Sequence, residues 1–333
     1  MPARLKAILQ YLFILAVTVL LIWFSLTNLN VAEGEDKWSY LVKTWNAASK
    51  SWLIAMAAIM MLSHVTRAER WRMLMEPSGN TTTLGLSMLS LMVGYLVNLV
   101  IPRGGEISRC YNLYKLDKTP VDISFGTVVT ERIVDVVCLF SLIGLSFLLE
   151  SEKLLLFIDS LPIGTNESKL SIVFYVAMAF IFIVLLLIVL YKKSKKFHDF
   201  LLRTWIGFRI GLLSVFQLKR KWLFIFYSLL IWVLYYFTSY AVINAFPETR
   251  HLGFDAMLSL FAIGAIAMAA PLPGGTGSYH VLVPQGLVFL YGISPANAIA
   301  FVFVFHGWQT LLMIVGGAIS LIITSVVVKK REQ

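Results

Sequence analysis

The sequence predicts an all-α polytopic membrane protein with about six full spans and two broken or re-entrant helical elements. Three observations predict it. Hydrophobic residues make up 59% of the 333 residues and the mean hydropathy is +0.80, well outside the range of soluble domains. Apolar runs of about 20 residues, the length that crosses ~30 Å of hydrocarbon, recur along the chain. Two of these runs are broken, by Asn98-Leu99-Val100-Ile101-Pro102-Arg103-Gly104-Gly105-Glu106 and by Pro271-Leu272-Pro273-Gly274-Gly275-Thr276-Gly277. Lipid tolerates non-helical backbone only where protein or a polar cavity satisfies it. One break in each half therefore points to a binding site inside the bilayer.

The first apolar run, Ala7 to Leu26, follows Arg4 and Lys6. Its core is longer than a signal-peptide h-region and no small-x-small cleavage site follows, so it reads as a retained span. Full spans are placed near 7–27, 51–66, 122–149, 168–191, 222–245 and 297–328. The run 84–101 and the pair 254–270 with 276–291 fit an ordinary span poorly, and loop charge decides how they are treated. Of the 28 Lys and Arg, 21 fall in Arg4/Lys6, Arg67/Arg70/Arg72, Arg103/Arg109/Lys115/Lys118, the Lys192–Lys221 stretch and Lys329/Lys330/Arg331. The loops between them are mixed or acidic, so the positive-inside rule places both termini in the cytoplasm, with the chain in an inner (plasma) membrane.

In that orientation the run 84–101 begins and ends on the cytoplasmic side, and 254–291 begins and ends outside. Two broken elements entering from opposite faces suggest an inverted repeat within a single transmembrane domain, 1–333, with halves 1–165 and 166–333. The halves share little sequence beyond a proline with a following Gly-Gly pair. Phe197, Phe200, Leu201, Trp205, Phe208, Leu212 and Phe216 recur at helical spacing among many cations, which predicts an amphipathic interfacial helix over 197–221 on an anionic leaflet.

The net charge of +10 would suggest nucleic acid in a soluble domain, but in this chain it belongs to cytoplasmic loops, and no nucleic-acid partner is expected. Two cysteines, Cys110 and Cys138, lack C-x-x-C spacing, and the five histidines form no metal-ligand pair, so neither metal nor cofactor is expected. No Ser-His-Asp order, H-E-x-x-H, G-x-S-x-G or nucleotide loop occurs, so the chain is not read as an enzyme.

Charge inside a membrane is expensive, about 2.5–3.5 kcal/mol for one ionised group at mid-helix on insertion scales. Glu131, Arg132 and Asp135 lead into a span. Arg132 reaches Asp135 at i,i+3, which leaves Glu131 to find a cation elsewhere; Arg103 and Arg109 are nearest in sequence. Arg103, Glu106 and Arg109 form one stripe if the segment after Gly105 is helical. Arginine forks suit phosphate geometry, and free N–H groups at a helix start attract anions. The cluster therefore reads as a head-group site or, more plainly, as a buried salt-bridge network. Arg67, Arg70, Trp71 and Arg72 are accounted for as snorkelling cations and an interface tryptophan at the end of a span, with pairing of Arg67 or Arg70 to a lipid phosphate as the alternative. In the second half, His280 follows the glycine-rich break, and His306 and Gln309 interrupt the last apolar run. An imidazole there is a packing group or a proton-coupling one.

Asn98-x3-Pro102-Arg103-x-Gly105-Glu106-x2-Arg109, followed by Glu131-Arg132-x2-Asp135, resembles the lysylphosphatidylglycerol synthase transmembrane (flippase-like) family, and Pro273-Gly274-Gly275-x-Gly277 resembles its second signature. The likeness runs from about residue 10 to 328. It implies a fold like the flippase half of multiple-peptide-resistance proteins, which move aminoacylated phospholipid between leaflets; the aminoacyl-transferase domain of those proteins has no counterpart in this sequence. It also implies an acidic residue where this chain has His280, and an arginine where it has His306. Other members of the family are linked to polyprenyl-phosphate sugars. The resulting expectation is a transporter for an anionic phospholipid or polyprenyl-phosphate-linked lipid. Arg103 and Arg109 would bind the head-group phosphate, and Glu106, Glu131, Arg132 and Asp135 would relay charge. Pro102, Gly104, Gly105, Pro273, Gly274, Gly275 and Gly277 would supply hinges and close backbone approach. The alternative is a membrane-embedded transferase, or an accessory subunit that partners a glycosyltransferase in lipid-linked glycan synthesis.

Overall fold

The computed structural model describes residues 36–160, 213–269 and 272–332, with 16, 19–20, 22–27, 29, 205–206 and 209–210. Among them there is no strand. A short helix α1 (Lys37–Ala47) precedes α2 (Lys50–Met75), α3 (Leu84–Asn98), α4 (Gly104–Asp117) and α5 (Val121–Ser160). The second half brings α6 (Lys221–Ala245), α7 (Phe254–Ala269), α8 (Ser278–Tyr291) and α9 (Pro295–Glu332).

Among the described residues four helices are long and apolar enough to cross a membrane: α2, α5, α6 and α9. They match four of the six spans expected from sequence. The span 168–191 and most of 7–27 lie outside the described residues, as do the repeat boundary at 165/166 and about half of the predicted interfacial helix 197–221. The described end of that last segment is a 3-10 turn, Ser214–Gln217, and Lys221 already begins α6.

Helices α3, α4, α7 and α8 have 15, 14, 16 and 14 residues. At 1.5 Å per residue they reach only about 21–24 Å, short of the ~30 Å hydrocarbon core. They are therefore used in pairs. α3 folds back on α4 and α7 on α8, each pair packed side by side. Both halves thus run in the same order: long helix, short hairpin, long helix. The halves interlock as well, because α3 packs on α9 and α7 packs on α5.

The first hairpin closes through small residues. Asn98 Oδ1 accepts from the Gly105 N–H at 2.7 Å, which satisfies a donor at the start of α4. A Cβ on Gly105 would collide with the Gly94 carbonyl and with Asn98, and one on Gly94 would meet the Gly105 carbonyl at 2.9 Å. The sequence reading gave Gly104 and Gly105 hinges and close backbone approach. Both open α4, and the left-handed residue at the tip is Arg103 (φ 62°). Their service is close approach. In the second hairpin Gly275 (φ 70°) and Gly277 (φ 102°) do adopt backbone that favours glycine. Pro273 opens a one-turn 3-10 segment between them and α7.

The largest apolar core gathers Leu53, Met56 and Met60 of α2, the C-terminal turn of α6, and the facing sides of α7, α8 and α9. The outward faces carry exposed Leu, Ile, Val and Phe, as lipid contact requires.

The glycine contact gives a direct test. Gly94→Val and Gly105→Val should each destabilise the protein by about 1–3 kcal/mol or more through overpacking. Gly144→Ala, where nothing lies within 4 Å of the added Cβ, should leave stability unchanged or raise it, by up to about 1 kcal/mol. Unfolding of the purified protein by sodium dodecyl sulfate reads both.

Candidate functional site

Four helices converge on one buried charge cluster. α5 supplies the acids: Glu131 is fully buried and Asp135 nearly so. They are i,i+4 on one face and lie about 15 and 21 Å of helical rise into the helix. α4 faces them with Arg109 and Glu106, also on one face. The sequence reading of a helical stripe after Gly105 holds for these two, whereas Arg103 stays outside it, exposed at the hairpin tip.

Arg109 Nη2 donates to Glu131 Oε2 at 2.5 Å. The other Glu131 oxygen accepts from Arg70 Nη2 at 3.3 Å, and the same nitrogen donates to Asp135 Oδ1 at 2.8 Å. Arg67 pairs with Asp135 Oδ2 and donates to Tyr235 Oη at 2.7 Å. Arg70 also reaches Ser228 Oγ at 3.3 Å, so α6 joins the cluster through Ser228 and Tyr235. Arg132 does lie near Asp135, as expected at i,i+3, but at 3.6 Å; its shorter pair is with Glu106, at 3.0 Å.

Arg67 and Arg70 correct the sequence reading, which placed them at the water interface. They are 5% and 0% exposed. The reason is length: α2 continues to Met75, so both lie inside a packed helix facing the carboxylates of α5. Trp71 is likewise buried rather than interfacial. Its Nε1 donates to Thr127 Oγ1 at 2.9 Å, and its ring lies 4.6 Å beneath the Arg109 guanidinium, which fixes that cation by packing. Arg72 alone stays near the surface, bound to Glu69 and Glu76.

The cluster is unbalanced. Arg67, Arg70, Arg109 and Arg132 face Glu106, Glu131 and Asp135, an excess of one positive charge. Its hydrogen bonding is incomplete too. Arg109 Nε and Nη1, Arg70 Nε and Arg67 Nε are buried with no acceptor among the described residues. Buried charge that is neither neutralised nor fully hydrogen-bonded is costly. Chemically, buried guanidinium groups in excess, with open donors, suit the geometry of a carboxylate or phosphate.

The second break gathers a different set. His280 and His306 are buried with ring centroids 4.9 Å apart, so α8 and α9 bring together the two positions at which the resemblance implied an acid and an arginine. Tyr279 stacks on His306 and Phe303 packs against His280. His280 Nδ1 accepts from the Gly277 N–H at 3.4 Å, and Ser25 Oγ donates to the His280 carbonyl. Gln309 is half-buried one turn further along α9.

The family model described as "Lysylphosphatidylglycerol synthase TM region" matches residues 11–317. A UPF0104 membrane protein of Methanocaldococcus jannaschii is 28% identical over 131 residues, 38% of this chain and 34% of the relative. The matched segment thus spans about a third of the curated relative. No solved structure matches the chain.

Glu131→Leu strips Arg70 and Arg109 of their shared carboxylate and should destabilise the fold by about 3–5 kcal/mol. Glu69→Leu, which breaks a pair at the surface, should cost no more than about 1 kcal/mol. Detergent unfolding of the two variants side by side checks the difference.

Proposed function

The chain belongs to the lysylphosphatidylglycerol synthase TM region family, and on that premise we propose that it moves a phosphate-bearing anionic lipid between leaflets in the manner of a flippase. The cargo class is an anionic phospholipid or a polyprenyl-phosphate-linked lipid. The observation that carries this reading is the excess buried positive charge with open arginine donors on Arg109, Arg70 and Arg67. A head-group phosphate supplies what the cluster lacks, one or more negative charges and several acceptor oxygens.

The surroundings support the same reading. The cluster lies where two long helices, α2 and α5, meet a hairpin too short to span, the setting in which transporters place a substrate near the midplane. With both termini in the cytoplasm of an inner membrane, the hairpin α3–α4 opens inward and α7–α8 outward. Pairs that share a carboxylate, Arg70 and Arg109 on Glu131, can exchange it for a phosphate and return it when the cargo leaves. The interlocked packing of α3 on α9 and α7 on α5 would carry a shift of one half to the other. His280 and His306 would then couple the cycle to protons. Transport that is equally active in His280→Gln and His306→Gln across the imidazole titration range would leave them as packing groups.

The test is reconstitution into vesicles with head-group-labelled fluorescent lipids. Wild-type protein should move anionic lipid across the bilayer, and Arg109→Gln and Arg70→Gln should each slow it by about tenfold or more, the loss expected for a charge-assisted contact. Unchanged rates in both variants would sink the assignment. Mass spectrometry of the same lipids should find them chemically intact; a modified head group would favour a membrane-embedded transferase instead.

A further inference from the structure

Deeper along α2 lies a set of polar atoms that the arginine cluster does not use. His64 sits about 21 Å of helical rise from the start of the helix, near its middle, and is 4% exposed. Both of its ring nitrogens lack a hydrogen-bond partner among the described residues, and so does Tyr95 Oη on α3. The two rings face each other with centroids 4.6 Å apart. Arg67 lies one turn along the same face of α2, within electrostatic reach of both, and its Nε is also without an acceptor. A buried imidazole and phenol are rarely left without partners, and a polar residue at this depth in a membrane marks a functional position.

We propose that His64 and Tyr95 form a subsite for the neutral hydroxyl groups of a head group whose phosphate rests on the arginines. The assignment rests on the anionic-lipid reading above and narrows it to hydroxylated phosphate esters, such as those of a polyol or a sugar. The donor and acceptor inventory selects that chemistry. A neutral imidazole offers one donor and one acceptor, a phenol offers both, and a hydroxyl is the group that answers both. An ammonium in the same place would face Arg67 and the excess positive charge of the cluster. A second phosphate would find only Arg67, which is already engaged with Asp135 and Tyr235. The spacing suits one molecule, because a single helical turn separates the guanidinium from the imidazole.

The full-length protein in detergent is titrated with dioctanoyl phosphatidylglycerol, with dioctanoyl phosphatidylethanol, which has the same chains and charge but no head-group hydroxyl, and with glycerol 3-phosphate. Calorimetry or native mass spectrometry reads the affinities. The wild type should favour the glycerol lipid over the ethanol lipid by about tenfold, the worth of one or two well-made hydrogen bonds. Tyr95→Phe and His64→Phe should each cut that preference by about threefold or more while leaving the ethanol lipid's affinity unchanged. Tyr95→Phe removes a single oxygen and carries the test if the histidine variant does not fold. Equal affinities in the wild type, or a preference that both variants keep, would overturn the proposal and assign the pocket to water. Binding of glycerol 3-phosphate as tight as that of the lipid would overturn the membrane as the source of the ligand. If neither lipid binds the wild type, the head-group reading itself fails and the subsite falls with it.

Discussion

Glu131 is the point on which the rest of the site depends. One carboxylate with no exposure holds Arg70 from α2 and Arg109 from α4, while its own helix supplies Asp135 to Arg70 and Arg67. In a low-dielectric interior such charges are tolerated only together. Each helix that carries one is therefore held in register by the others, and the positions of α2, α4 and α5 are jointly determined. The cluster nonetheless stops short of complete satisfaction, with buried arginine donors left open.

The hairpins make this arrangement possible. A helix that crossed the whole bilayer would present Arg109 to a neighbour over a long, uniform contact. A helix of 14 residues that begins at a backbone break brings the guanidinium to depth and lets the chain return to the side it came from. The Gly94–Gly105 approach and the Asn98 bond to the Gly105 N–H hold the two arms together, and Arg109 of the second arm meets Trp71 of α2. Backbone geometry at the tip and electrostatics at the cluster are thus one problem solved once.

Much of this was legible in the sequence. The Pro-Arg-Gly-Gly-Glu break identified a short hairpin, and nearness in sequence put Arg109, together with Arg103, forward as a partner for Glu131. Arg67 and Arg70 were misread because a span ending in cations and a tryptophan has the same pattern as an interface. A length check was the available signal: 51–66 is 16 residues, about 24 Å, too short to cross ~30 Å of hydrocarbon, so the helix had to continue through both arginines. His64, Arg67 and Arg70 also recur every third residue, which marks a polar face rather than a frayed end. Ser228 and Tyr235 gave no such signal, since in an apolar run of α6 nothing separates a hydroxyl that meets an arginine from one that returns to its own backbone. The second break was recognised by its glycines, but the contact between His280 and His306 depends on how α8 packs on α9, which no local pattern encodes.

At the far end of α5 the helix kinks at Glu150 (φ −134°, ψ 40°), whose carboxylate accepts from Ser259 on α7 and Tyr291 on α8. Those donors lie 109 and 141 residues further along the chain. During synthesis α5 is therefore threaded into the membrane long before these two donors exist. Glu131 finds Arg70 and Arg109 within the first half as it emerges, whereas the bonds of Arg67 and Arg70 to Tyr235 and Ser228 wait for α6, and the opposite end of the same helix waits for the second hairpin. The carboxylate pairs at the charged end of α5 are thus local to the first half, and the contacts of its kinked end belong to the second.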